Sequence, residues 1–202
     1  MTEARTTPDG REAQRLRTRR RVLDAALAEF RRSGAAAADV GAIVADAGVA
    51  RATFYFHFPR KEHVLLELER REEVRIAKRL AHRLAEPHDL AAALDEVVRS
   101  VLTVERRVGS VLFKDLLGLH FLPNRPEDDE WTDHPVIVLV VEEFARARDE
   151  GEAYAGLNPF HAAVFFLLGL YALLTTSGAS RSTRAAMLDN YVALTLRGME
   201  IR

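Results

Sequence analysis

The stretch Asp39–Lys61, DVGAIVADAGVARATFYFHFPRK, decides the fold at this end of the chain. Ile43, Val44 and Ala47 share a helical face, so a short helix is expected there, with Asp39 as its N-cap. Ala47-Gly48-Val49 reads as a tight turn. Glycine adopts φ > 0 at a helix C-terminus without the clash a Cβ would bring, and Val49 can then point back into the core. A second short helix follows over about Ala50–Phe56. Phe54 and Phe58, four apart, lie on one face and are assigned to the core. Thr53, Tyr55 and His57 are left to face outward. Two helices that present hydroxyls, a ring nitrogen and Lys61 on one side have the donors a phosphate backbone needs.

Working outward, Val22, Leu23, Ala26, Leu27 and Phe30 form an apolar stripe that predicts a helix over 14–33, ended by Gly34. Residues 1–13 contain Pro8-Asp9-Gly10 and no apolar period, so a flexible basic arm is expected. Arg11, Arg15, Arg17, Arg19, Arg20 and Arg21 follow; as a group they suit an adjacent minor groove, and singly each reads as a solvated charge. The chain carries a net charge of only −1, but residues 1–61 hold 12 Lys and Arg against 7 Asp and Glu, and the remainder holds 17 against 23. A basic head on an acidic body turns the head toward a polyanion.

The run I43-V44-x-x-A47-G48-V49-x-x-x-T53-F54-Y55-x-H57-F58-P59-x-K61-E62 closely resembles the DNA-binding domain of TetR-type transcriptional regulators. The resemblance covers about residues 14–66. Beyond them only length and helical layout are similar. Members often carry Ser where this chain has Ala50 and Arg60, so two helix caps worth about 1 kcal/mol each are missing. The resemblance implies that the N-terminal end of the second short helix enters the major groove of double-stranded DNA. Arg51 and Ala52 would then lie near base edges, with Arg51 suited to bidentate reading of guanine. Thr53, Tyr55 and His57 match positions that contact phosphates, and Lys61 stands at a helix start, which favours an anion. The implied domains are a helix-turn-helix over 14–61 and a ligand-binding and dimerisation domain over 62–202.

The rest of the chain reads as helices over about 62–84, 89–106, 109–121, 135–149, 159–177 and 182–200. Asp89, Asn158 and Ser182 are the expected caps, and an acidic loop runs from Pro123 to Pro135. Within the 62–84 helix the run ERREEVR reads as mostly a solvated face. No segment alternates with period two, so the expected fold class is all-α. The 159–177 helix is apolar nearly all round and should be buried on several sides. By resemblance the last two helices pair with their copies in a homodimer, which a palindromic operator requires, and Gly169 would allow their close approach. The longest apolar run, Ala162–Leu174, is short for a bilayer span. The polar N-terminus lacks an apolar leader segment. No cysteine is present, which removes thiolate sites and suits a reducing cytoplasm.

An effector pocket is expected among the helices from 62 to 177. Its candidate lining is Phe113, Leu117, His120, Phe121, Trp131, Val140, Phe144, Phe165 and Tyr171. The apolar types point to an apolar or amphipathic small molecule with few polar anchors. No metal or cofactor is expected: the seven histidines show no i, i+4 pair, and HExxH, Glu-x-x-His, GxSxG and Gly-rich phosphate loops are absent. The chain therefore reads as a sequence-specific DNA-binding regulator, a repressor released by a ligand, and not an enzyme. A small-molecule-binding dimer whose sequence-specific DNA binding has lapsed is the alternative.

Overall fold

The computed structural model describes residues 8–121, 134–176 and 180–199. Among them it contains helices and no strand: α1 (Pro8–Ser33), α2 (Val40–Ala47), α3 (Arg51–His57), α4 (Glu62–Arg83), α5 (Leu90–Val108), α6 (Ser110–Gly118), α7 (Pro135–Asp149), α8 (Pro159–Thr176) and α9 (Arg181–Arg197). A short 3-10 turn, Leu119–Phe121, follows α6. The chain divides into two units, residues 1–67 and 68–202, and the division falls inside α4.

In the first unit α1 packs on α2 and α2 on α3. Val22, Leu23, Ala26, Phe30, Ile43, Phe54 and Phe58 form a core that water barely reaches. The first helix begins at Pro8, so the flexible arm expected over 1–13 is helical in its described part. Proline costs nothing in a first turn, where its missing N–H has no partner to lose. One turn further on, the Arg15 guanidinium donates to Glu12 at 2.6 and 2.8 Å.

In the second unit α8 packs against α6, α7 and α9, while α5 contacts α6, α7 and α9. Several caps expected from sequence form: Asp89 accepts from Ala92 N at 2.8 Å, and Asn158 accepts from His161 N at 3.0 Å. The cap of α9 is Ser180 rather than Ser182. Ser180 holds the extended backbone that aims its hydroxyl at the Thr183 amide, and Ser182 already lies inside the helix. The α-helix expected over 109–121 tightens to 3-10 geometry after Gly118.

Helix α8, at 18 residues with mean hydropathy 1.6, is long and apolar enough to cross a bilayer, which the shorter run Ala162–Leu174 did not suggest. Bundle packing accounts for much of that apolarity. Ala163, Phe166, Leu167, Leu170 and Leu174 are buried, whereas Phe165 and Leu168 stay exposed. Gly169 makes room within the chain: a Cβ there would collide with the Tyr191 hydroxyl from α9. That hydroxyl donates to the carbonyls of Phe166 and Phe165 at 2.8 and 3.2 Å, and the Tyr191 ring stacks on Phe166.

The run ERREEVR on α4 is only partly a solvated face: Arg70, Val74 and Arg75 are exposed and Arg71 is half-buried. Glu69, Glu72 and Glu73 are buried. Helical spacing alone could not reveal this, because each carboxylate is held by a partner more than thirty residues away or one turn along. Glu69 meets His120 at 3.1 Å, Glu73 meets His134 at 3.0 Å, and Glu72 is clasped by Arg107 and, at 2.6 Å, by Arg75.

Candidate functional site

The turn between α2 and α3 is built as its sequence requires. The Asp39 side chain accepts from Gly41 N and opens α2, and Gly48 closes it at φ 61° and ψ 45°, in the left-handed region. Val49 N donates to Val44 O at 3.1 Å, which turns the chain into α3. Ala50 occupies the N-cap of α3 with no side-chain bond to the exposed amides, so the absent serine leaves a real gap.

Helix α3 then sorts its residues by face. Phe54 and Phe58 enter the core, while Arg51, Ala52, Tyr55 and Phe56 are exposed, and Thr53 and His57 are half-buried. The Arg51 guanidinium lies 6.0 Å from the Tyr55 ring centroid, a cation–π distance that keeps the two on one outward stripe. His57 has its pKa lowered, first by partial burial and then by the nearby charges of Arg19 and Arg15. At neutral pH it therefore acts as a neutral hydrogen-bonding ring.

Two expected cations serve the domain itself. Lys61 Nζ donates to Ala36 O at 2.8 Å and Ala38 O at 3.2 Å, tying down the α1–α2 loop. An ammonium has three donors, so one remains for an anion. Arg19 stacks over Phe58 at 4.5 Å and pairs with Glu67 at 3.2 Å, so it belongs to the packing rather than to a mobile arm. Sequence reading passed over Phe56. The signal was available, since it lies two positions from each of the core residues Phe54 and Phe58 and must point away from them.

The second unit holds a cavity of about 30 Å³ among α4, α5, α6 and α8. Phe113, Leu117, His120 and Tyr171 line it, four of the residues expected to do so, together with Glu69, Glu72, Glu73, Ile76 and Val101. His120 and Tyr171 face each other at 4.6 Å between ring centroids. The volume holds about one water molecule, so a larger guest requires these helices to part. The three glutamates were not expected there; their carboxylates are taken up by His120, Arg107, Arg75 and His134, so the wall that faces the cavity stays mainly apolar.

The remaining pocket candidates lie elsewhere. Phe144 and Val140 are core residues, and Phe144 packs edge-on against Phe166 at 6.3 Å. Phe121 is half-exposed at the end of the 3-10 turn. Phe165 is 70% exposed and borders an open groove between α8 and α9, with His161, Tyr191 and Leu194. Its position on α8 turns it away from α6 and α7. Trp131 and most of the acidic loop lie outside the described residues. Among the described residues no group of three or more His, Asp or Glu is placed to hold a metal ion.

Residues 22–68 match the model of a family described as bacterial regulatory proteins, tetR family. No curated protein matches the chain. Solved structures do. Thermus thermophilus FadR, a transcriptional repressor in complex with lauroyl-CoA, is 22% identical with a TM-score of 0.70, covering 91% of this chain and 96% of its own. Bacillus subtilis FadR in complex with stearoyl-CoA is 18% identical with a TM-score of 0.69, covering 90% and 99%. Mycobacterium tuberculosis KstR2, a ketosteroid transcriptional regulator, is 19% identical with a TM-score of 0.60, covering 91% and 95%. At these identities the likeness is one of fold.

Proposed function

We propose, from the premise that residues 22–68 are a DNA-binding domain of the tetR family of bacterial regulatory proteins, that this chain is a cytoplasmic, homodimeric transcriptional repressor released by a small molecule. The observation that carries the reading is α3. Its inner face is locked by Phe54 and Phe58, its outer face is exposed, and it follows a turn closed by Gly48 in the left-handed conformation. Arg51 and Ala52 lie at base edges, Thr53, Tyr55 and His57 bond phosphates, and Lys61 adds its remaining donor.

Two heads at fixed spacing require a dimer. The surface for it is on α8 and α9, where Phe165, Leu168, Met187 and Leu194 are exposed. Apolar side chains clustered in this way mark an interaction face. The effector enters the second unit at the cavity lined by Phe113, Leu117, His120 and Tyr171. The acyl-CoA ligands of the two FadR proteins make an amphipathic acyl thioester the first compound class to test. Such a ligand releases DNA only if it binds the DNA-incompetent arrangement more tightly than the competent one.

The test is selection of the purified protein against a random duplex library, followed by titration of the bound pool with acyl-CoAs. Enrichment of an inverted repeat, with Arg51→Ala relaxing base preference by about 1–3 kcal/mol at one position, supports the reading. Tyr55→Phe should instead weaken all sequences alike. Failure to enrich any sequence at low salt would remove it.

A further inference from the structure

The outward face of α3 holds an apolar residue at its centre. Phe56 is two positions along α3 from Phe54, which places it about 160° round the helix axis from that residue, and Phe58 turns inward just past the helix end. Those two are fully buried, so Phe56 stands at the middle of the exposed side, and its side chain is 72% exposed. Ala52 lies one turn earlier on the same stripe and is also exposed. Arg51 and Tyr55 flank this stripe on one side, Thr53 and His57 on the other. The His57 ring meets Phe56 edge-on at 5.1 Å and braces it. Residues 1–61 carry an excess of basic groups, which favours a polyanion as the occupant of this face.

Phenylalanine has no donor or acceptor. It cannot bond a phosphate, and pressed against a polar base edge it would strip water without replacing the lost bonds. The major groove offers one apolar feature, the 5-methyl group of thymine. We propose that Phe56, with Ala52 beside it, reads a thymine methyl in each half-site and so sets base preference at that position. The inference rests on the DNA-binding reading of α3 and adds to it a specificity-determining residue.

The test uses the full-length protein and the operator enriched from the random library. Each thymine is replaced in turn by 2′-deoxyuridine, which removes the methyl and leaves the base pair and backbone intact. One thymine per half-site should be sensitive, with binding weakened about fourfold for each lost methyl contact. Phe56→Ala should weaken binding to the thymine operator and bind the thymine and uracil forms equally, while Phe56→Leu keeps part of the discrimination. Since Phe56 is exposed, both variants should retain the wild-type unfolding midpoint. The proposal is overturned if no thymine is sensitive, or if Phe56→Ala remains as sensitive as the parent. Absence of any enriched operator would overturn the regulator reading itself, and this one with it; an enriched operator blind to uracil would overturn only the role of Phe56.

Discussion

The two units of this chain keep their charges in opposite places. In the first, most arginines lie at the surface, and several have partners close in sequence: Arg15 with Glu12, Arg17 with Gln14, Arg32 with Glu29, while Arg19 reaches Glu67. Its interior is aromatic and aliphatic apart from Glu29, which is buried beside Arg32. In the second, Glu69, Glu72, Glu73 and Glu96 are buried among apolar side chains. All four find partners elsewhere in the chain: His120 for Glu69, Arg107 for Glu72, His134 for Glu73 and Arg79 for Glu96. A site that reads an external surface needs residues turned outward on one short element, and local spacing can specify that. A site enclosed by several helices needs groups that only the packing brings together.

This contrast can be broken by mutation. The largest effect should come from the first unit. Phe54→Ala empties a fully buried position and should cost about 3–5 kcal/mol, read as a lower urea midpoint for the unit and lost DNA binding. A smaller shift would mean that α3 is held mainly by its turn.

In the second unit, Arg107→Met strands the Glu72 carboxylate, which keeps only Arg75. Because Arg107 is itself partly exposed, the expected cost is about 2–3 kcal/mol, at or below the usual range for breaking a buried pair. The double variant Arg107→Met/Glu72→Met should recover most of that loss, since an apolar pair needs no counter-charge. Additive losses would show that the carboxylate has another essential partner.

Gly169→Ala should destabilise by about 1–3 kcal/mol through overlap with the Tyr191 hydroxyl. Combining it with Tyr191→Phe should return part of the loss. If Gly169→Ala instead leaves the monomer's stability intact and abolishes dimers, the glycine serves contact between copies.

The smallest effects are those of pH, and their signs differ between the units. The folded-state pKa of His57 lies below its ordinary value of 6.5, mainly through burial. The folded state then takes up its proton less readily than the unfolded one, and stability falls as pH drops below about 6.5 until the folded value is passed. His88 has its pKa raised, first by the Glu86 carbonyl and then by Glu143, against opposing burial. Its contribution is complete below about pH 6.5 and is lost as pH rises through the higher folded value. His57→Gln should therefore reduce the loss of stability on acidification, and His88→Gln should remove a gain. Urea midpoints at pH 5.5 and pH 8 would show whether the slopes oppose.

The legible parts of the molecule share one property: their determinants sit within a turn or two of each other. Asp39, Gly48, Phe54 and Phe58 are near neighbours in sequence, so their spacing specifies α2, the turn and α3 directly. The same holds for Asp89 and Asn158 as caps. Phe56 is legible from the same helical period that places Phe54 inside, as an outward residue without a hydroxyl or nitrogen donor.

By itself the sequence determined the helical class, the helix-turn-helix and the outward placement of Tyr55, because helical period and the left-handed preference of glycine act over a few bonds. Only the tertiary structure decided that Glu69, Glu72 and Glu73 are interior, that Gly169 makes room for Tyr191, and that Phe165 faces outward while Phe113 lines a cavity. A carboxylate is tolerated inside when a cation or histidine meets it there, and those partners lie 35 to 61 residues along the chain. Burial of a charge is a property of the pair, and the pair exists only once the helices have packed.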